Sequence, residues 1–161
     1  MSIVSLDEAR AHCRVDAGYP ADQLQGYLDA AIHAAADYLN RDIFADSDAL
    51  DAAMDAVPGA IGQASDAYEA ARAAASGMTN AAAASAALSI AEQRWAIAQH
   101  LATRTRFGIV ATPSIAAAIK LTLGHLFANR ESVVSGVNAA AVELPLGVQY
   151  LLSPYRRVMM P

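Results

Sequence analysis

At 161 residues the chain can fold as one domain with a proper core, or as a small core that carries an appendage. It holds 11 basic against 16 acidic residues for a net charge of −5, a balance that speaks against a protein gripping nucleic acid along its length. A single cysteine, Cys13, excludes an intrachain disulfide, and no stretch approaches the ~20 apolar residues that a membrane span needs.

Alanine is abundant and aromatics amount to only 6%. Alanine favours helix because it loses no side-chain entropy there, so helices are expected to dominate. Each buried alanine removes little apolar area from water. At ~25 cal/mol per Å², an isolated Ala-rich hairpin gains little, and neighbouring chains are the expected source of the missing burial. Cys13 reads as a small apolar packing residue. Met1-Ser2-Ile3-Val4 lacks the basic start and apolar run of a signal peptide, so a cytoplasm is the expected place of synthesis and use.

The first element is announced by Ser5-Leu6-Asp7-Glu8, a capping box that opens a short helix ending near Cys13. Arg14 to Pro20, with Gly18, reads as a loop. From Asp22 to Asn40 runs the clearest helix, with Leu24, Tyr27, Leu28, Ala31, Ala35, Tyr38 and Leu39 repeating at three and four residues in one apolar stripe. Residues 42–71 carry seven acidic side chains and no basic one, and Pro58-Gly59 is expected to divide this stretch into two helical pieces. After a second break at Ser76-Gly77, a helix from Asn80 to about Arg106 spans ~40 Å at 1.5 Å per residue. It has two apolar faces, with Leu88 and Trp95 on one side and Ile90, Ile97 and Leu101 nearly opposite. A hairpin of residues 60–76 and 80–106 covers one face, and the other meets the core or a neighbouring subunit.

Thr112 is the expected N-cap of the next helix, with Pro113 in its first turn and Asn129 near its end. Ile115, Ile119, Thr122, Leu123, Leu126 and Phe127 share one face. Beyond Glu131 the helical signal fades, Pro145 can open a short helix to Leu152, and Pro154 ends it ahead of an extended tail. No convincing strand pair is present. The expected fold class is all-α: a helical bundle with an Ala-rich helical hairpin insertion and an extended C-terminal arm.

Three stretches, Ser5-Leu6-Asp7-Glu8-Ala9-Arg10, Tyr38-Leu39-Asn40-Arg41-Asp42-Ile43-Phe44, and Leu123 to Glu131 followed by Glu143-Leu144-Pro145-Leu146 and Pro154-Tyr155-Arg156-Arg157, occur here in one order. In that order the chain resembles the head-tail connector (adaptor) proteins of tailed bacteriophages. The likeness covers roughly residues 3–44 and 113–157. It implies a connector core of residues 1–44 and 113–152, an Ala-rich insertion of residues 45–112, and a C-terminal arm of residues 153–161. It implies a structural virion protein rather than an enzyme: a homo-oligomeric ring, expected to hold twelve copies, docked beneath the portal protein at the capsid vertex. The ring would offer a platform to a tail-side connector or tail terminator protein and pass DNA through its opening without sequence-specific binding. The virion's head-tail interface is the implied location, with the bacterial host cytoplasm during assembly, and no membrane is involved. On this reading Leu123, Leu126 and Phe127 are core packing, and Asn129, Arg130 and Glu131 are the polar helix terminus that fixes the next loop. Tyr155, Arg156 and Arg157 are docking contacts of an arm that reaches an adjacent subunit or the portal, so truncation before Pro154 is expected to weaken docking with helix content nearly unchanged.

The charge is uneven along the chain. Residues 1–93 carry 4 Arg against 14 Asp or Glu, a net −10, and residues 94–161 carry 6 Arg and 1 Lys against 2 Glu, a net +5. A chain with an acidic and a basic end can make a heterologous head-to-tail contact that closes into a ring; the same asymmetry also arises on solvated faces without a partner.

Chemistry-bearing patterns are sparse. Asp29, His33 and Asp37 sit four apart on one helix face, which reads as a solvated polar edge, since no cysteine or second histidine accompanies them at ligand spacing. No Gly-rich phosphate loop, nucleophile elbow or Cys-His pair occurs, and neither a cofactor nor a metal is implied. Arg104 and Arg106, with Arg156 and Arg157 beside Tyr155, make a thin phosphate footprint. They keep one alternative open, a small helical DNA-binding packaging or regulatory factor, while a metal-dependent or hydrolytic helical enzyme would have to work through Asp29, His33 or Asp37.

Overall fold

The computed structural model describes residues 2–129 and 146–158, and the fold is mainly α-helical. In chain order the elements are α1 (Leu6–Cys13), α2 (Ala21–Leu39), β1 (Ile43–Phe44), α3 (Ser47–Ser76), α4 (Ala81–Arg106), β2 (Ile109–Val110), α5 (Pro113–Ala128) and α6 (Leu146–Leu152). A 3-10 turn, Ser153–Tyr155, follows α6. Two compact units result, one formed by Met1–Asp46 with Ile109–Pro161 and the other by Ser47–Gly108.

Local capping fixes where three helices begin. Ser5 Oγ accepts the Glu8 N–H at 3.2 Å while the Glu8 carboxylate accepts the Ser5 N–H at 2.9 Å, so the reciprocal box at α1 is complete. The hydrogen bonds from Ser5, its backbone N–H first and then its hydroxyl, hold the Glu8 carboxyl below its ordinary value. Its folded value lying below its unfolded one, this cap contributes above the unfolded value and is lost as pH falls through the folded one. At α4 the Asn80 side chain accepts the Ala83 N–H at 3.1 Å, and at α5 Thr112 Oγ1 accepts the Ile115 N–H at 3.4 Å with Pro113 in the first turn. Two helices end on a left-handed residue: Arg14 closes α1 and Asn40 closes α2, both at φ 55°.

In the first unit α2 and α5 form the central pair. Leu24, Leu28 and Leu39 of α2 are fully buried against Ile115, Ile119 and Leu123 of α5. Spacings of four and eleven residues on α2, and of four and four on α5, put each set on one face, and each such side chain contributes about 1.5–3 kcal/mol by leaving water. Val4 and Ala9 close the core from the α1 end, and Val148 and Leu152 from α6. Thr122 is the one buried polar residue among those described, and its hydroxyl bonds back to the Ala118 carbonyl at 3.0 Å.

Contrary to the strand-free expectation, β1 and β2 pair in parallel, Ile43 opposite Ile109 and Phe44 opposite Val110. The Ile109 N–H donates to Asp42 O at 2.9 Å and the Ala111 N–H to Phe44 O at 2.8 Å. Parallel strands need a crossover between them, and here the whole of residues 47–108 serves as one. Two-residue strands carry no period of their own, so nothing local marks them.

The second unit is an antiparallel helical hairpin. Its seam repeats at alternating four and three residues: Val57, Ile61, Ala64, Tyr68, Ala71 and Ala75 on α3 face Ala84, Leu88, Ala91, Trp95, Ala98 and Ala102 on α4. Every one of these is buried or half-buried. Alanines are interspersed among the large residues, which lets the helices approach closely between bulky contacts. The largest contact stacks Tyr68 on Trp95, with ring centroids 6.2 Å apart, and Arg72 lies 5.7 Å from the Tyr68 centroid. Pro58 does not break α3, which runs unbroken over 30 residues. A proline inside a helix costs about 3 kcal/mol, yet seam residues Val57 and Ile61 bracket it and hold both sides against α4, while Pro58 itself is exposed where water can serve the carbonyl it leaves unpaired. Within this unit the antiparallel arrangement brings the acidic start of α3 near the basic last turn of α4.

Candidate functional site

The C-terminal segment, the end of α2 and the start of α5 meet on the first unit. Asn40 holds the left-handed conformation that ends α2, a role asparagine fills at low cost, and its side-chain amide donates to the Arg157 carbonyl at 3.1 Å. The Arg157 N–H in turn donates to the Leu39 carbonyl at 3.0 Å. That carbonyl is one of the acceptors a helix C-terminus leaves unsatisfied, so the tail completes the end of α2. One residue earlier, the Arg156 guanidinium lies over the Tyr38 ring at 5.1 Å. Tyr155 packs against the core, and hydrogen bonds from the Thr112 and Ser114 hydroxyls hold its phenol below its usual value.

Of the predicted docking residues, Tyr155, Arg156 and Arg157 therefore all engage their own chain. Arg156 is extended, as a tail residue should be, but this part of the arm does not reach outward. The reason is energetic: an unsatisfied helix terminus and an aromatic seat lie within reach, so ordering the tail costs less than leaving both to water. Truncation before Pro154 should accordingly lower stability as well as weaken docking. Two hydrogen bonds and the Tyr155 contact go with the tail, for a loss of about 2–3 kcal/mol in urea unfolding. An unchanged midpoint would show that the seat contributes nothing.

Leu123 is fully buried, whereas Leu126 and Phe127 are half-buried against the core. Phe127 meets Tyr19 edge-on at 5.5 Å and Tyr27 at 6.2 Å. Asn129 ends α5, its backbone N–H and its side-chain amide both donating to the His125 carbonyl at 3.0 and 2.9 Å. Arg130 and Glu131 lie outside the described residues. Next to this terminus Gly124 faces α1, where an added Cβ would lie 3.1 Å from His12 Nε2. The His12 ring is exposed and can give way, while alanine gains about 0.8–1 kcal/mol over glycine in a helix. Gly124→Ala should therefore raise the melting temperature slightly, and a fall in stability beyond 1 kcal/mol would mean the α1–α5 contact is rigid.

The reading from sequence passed over Tyr150, which is 81% exposed, and Val158, which is 77% exposed. The signal was present: α6 buries Val148 and Leu152, and Tyr150 falls between them on the opposite face. Asp29, His33 and Asp37 remain an exposed edge of α2, with Asp29 accepting from Gln25 at 2.8 Å. Among the described residues no group of three His, Cys, Asp or Glu could hold a metal ion, and no described helix is long and apolar enough to cross a membrane. Comparison with protein-family models, with curated proteins and with solved structures finds no match to this chain.

Proposed function

We propose that this chain is a structural connector subunit that assembles with copies of itself into a ring joining the portal of a tailed bacteriophage to its tail, with the genome passing through the opening. The observation that carries the reading is that the described parts of the stretches bearing the resemblance fold around one core, while the Ala-rich stretch between them forms a unit of its own. The tail supports it further. Clamped at Leu39 and Asn40, the C-terminal segment exposes Tyr150 on α6 and Val158 beyond the 3-10 turn, two large apolar side chains available to another protein.

Electron microscopy of the purified chain, alone and mixed with its portal protein, tests the proposal. Ring-shaped particles or co-purification with the portal are expected, and Tyr150→Ala should reduce assembly while leaving the circular dichroism spectrum unchanged. A chain that stays monomeric and ignores the portal would sink the reading. Duplex binding that persists at physiological salt would favour the packaging or regulatory factor instead.

A further inference from the structure

The hairpin seam uses Val57, Ile61, Tyr68, Leu88 and Trp95, which leaves a second set of large apolar residues uncovered. Ile90, Ile97 and Leu101 are 49%, 51% and 54% exposed, and spacings of seven and four residues place them in one row along α4. That row borders two hollows on one flank of the hairpin. Ile90 lines the first with Ala64, Ala67 and Ala71 of α3, and Leu101 lines the second with Ala53, Ala56 and Ala60. The flank is thus a ridge of aliphatic side chains beside a trough walled by alanine. The opposite flank is more polar, with Gln99, Thr103 and Arg106 in one hollow and Glu69, Arg72 and Ser76 in another.

We infer that this flank docks a second copy of the same hairpin, face to face about a twofold axis parallel to the helices, so that α4 of each copy lies over α3 of the other in an antiparallel four-helix bundle. A twofold contact requires a surface that complements itself, and a ridge beside a trough meets that requirement. Heights agree as well. Tyr68 stacks on Trp95, and counting along each helix from that pair sets Ile90 near the level of Ala71, Ile97 near Ala64 and Ala67, and Leu101 near Ala60. A half-turn therefore brings each large side chain over an alanine of the other copy.

Area points to the same occupant, and the charges allow it. A helix of 26 residues is ~39 Å long, and two packed helices present ~20 Å of width, which offers roughly 800 Å² per copy, the size of a standard stable interface. Asp48, Asp55 and Asp66 fall along the outer edge of α3, and Arg94 stands on the α4 side of the trough. Asp55 and Asp66 immediately precede the trough alanines Ala56 and Ala67, about a quarter-turn of α3 away, so laying α4 over the other copy's α3 leaves the aspartate row at the solvated rim of the contact. This contact rests on the hairpin alone and is independent of the ring.

The test uses the full chain in a Cys13→Ser background. Ala64→Cys and Ile97→Cys proteins are purified separately, mixed and oxidised, and the mixed disulfide between them is expected to predominate over either homodimeric one. In sedimentation, Ile97→Glu with Leu101→Glu should raise the dissociation constant of the pair ~100-fold, because the charges would be buried on association. Both sites are exposed on the hairpin, so an unchanged circular dichroism spectrum checks that the variant folds. Disulfides at no more than collision frequency, predominance of either homodimer, or self-association indifferent to the glutamates would overturn the inference. Rings without the mixed disulfide would leave the connector reading standing and this one refuted; the mixed disulfide without rings would do the reverse.

Discussion

Leu123→Ala is expected to lower the stability of the first unit by about 3–5 kcal/mol, the largest effect of any single change proposed for this protein. Leu123 is fully buried on α5 and belongs to the cluster it forms with Leu24, Leu28 and Leu39 of α2. Removing its isobutyl group forfeits transfer free energy and leaves a cavity. The cavity cannot collapse easily, because α5 is held at one end by the Thr112 cap and the seated tail and at the other by Phe127 between Tyr19 and Tyr27. Since a domain of this size has a net stability of only about 5–15 kcal/mol, the loss is a large share of the total. Urea unfolding followed by circular dichroism reads it directly. A loss below 1 kcal/mol would mean that α2 and α5 do not pack as described.

The second large effect is confined to the hairpin. Trp95→Ala removes the stacking partner of Tyr68 and the largest side chain of the seam, at a cost of about 3–4 kcal/mol. Few alternatives remain to hold α3 and α4 together, since Ala75 and Ala91 are the unit's only fully covered apolar residues among those described. Helices α3 and α4, with 30 and 26 residues, carry more than half of the described helix. On mild heating the variant should therefore lose about half of its far-ultraviolet helical signal while the first unit's transition stays in place. The chain has one tryptophan, so Tyr68→Ala offers an independent reading: the Trp95 emission should shift to the red. A single transition unmoved by Trp95→Ala would refute this account of the seam.

The helices were legible where their signals are local. Ser5 with Glu8, Asn80 and Thr112 announce three starts, and the stripes of α2 and α5 show their buried faces directly. The heptad seam of the hairpin is also written in the chain. It is hard to read because more than half of its positions are alanine, and alanine also fills the outer faces of α3 and α4, so polarity does not separate inside from outside. Pro58 misled for a related reason: the penalty is local and evident, whereas the packing of Val57 and Ile61 that outweighs it is not. Of the candidate site, the packing role of Leu123 could be argued from its helix face. The seat of the tail could not, because it joins Arg157 to Leu39 and Asn40 across most of the chain.

What the amino-acid order determined by itself is therefore the starts of α1, α4 and α5, the breaks at Ser76-Gly77 and before Pro113, and the absence of an intrachain disulfide, all of which depend on neighbours within a turn or two or on composition. Tertiary structure alone decided that β1 pairs with β2, that α3 runs through Pro58, and that Tyr155, Arg156 and Arg157 bind their own core. The physical reason is common to all three. Each depends on groups distant along the chain whose meeting is set by the burial of the α2–α5 core or of the hairpin seam, and neither a cap nor a period encodes which distant acceptor an N–H will find.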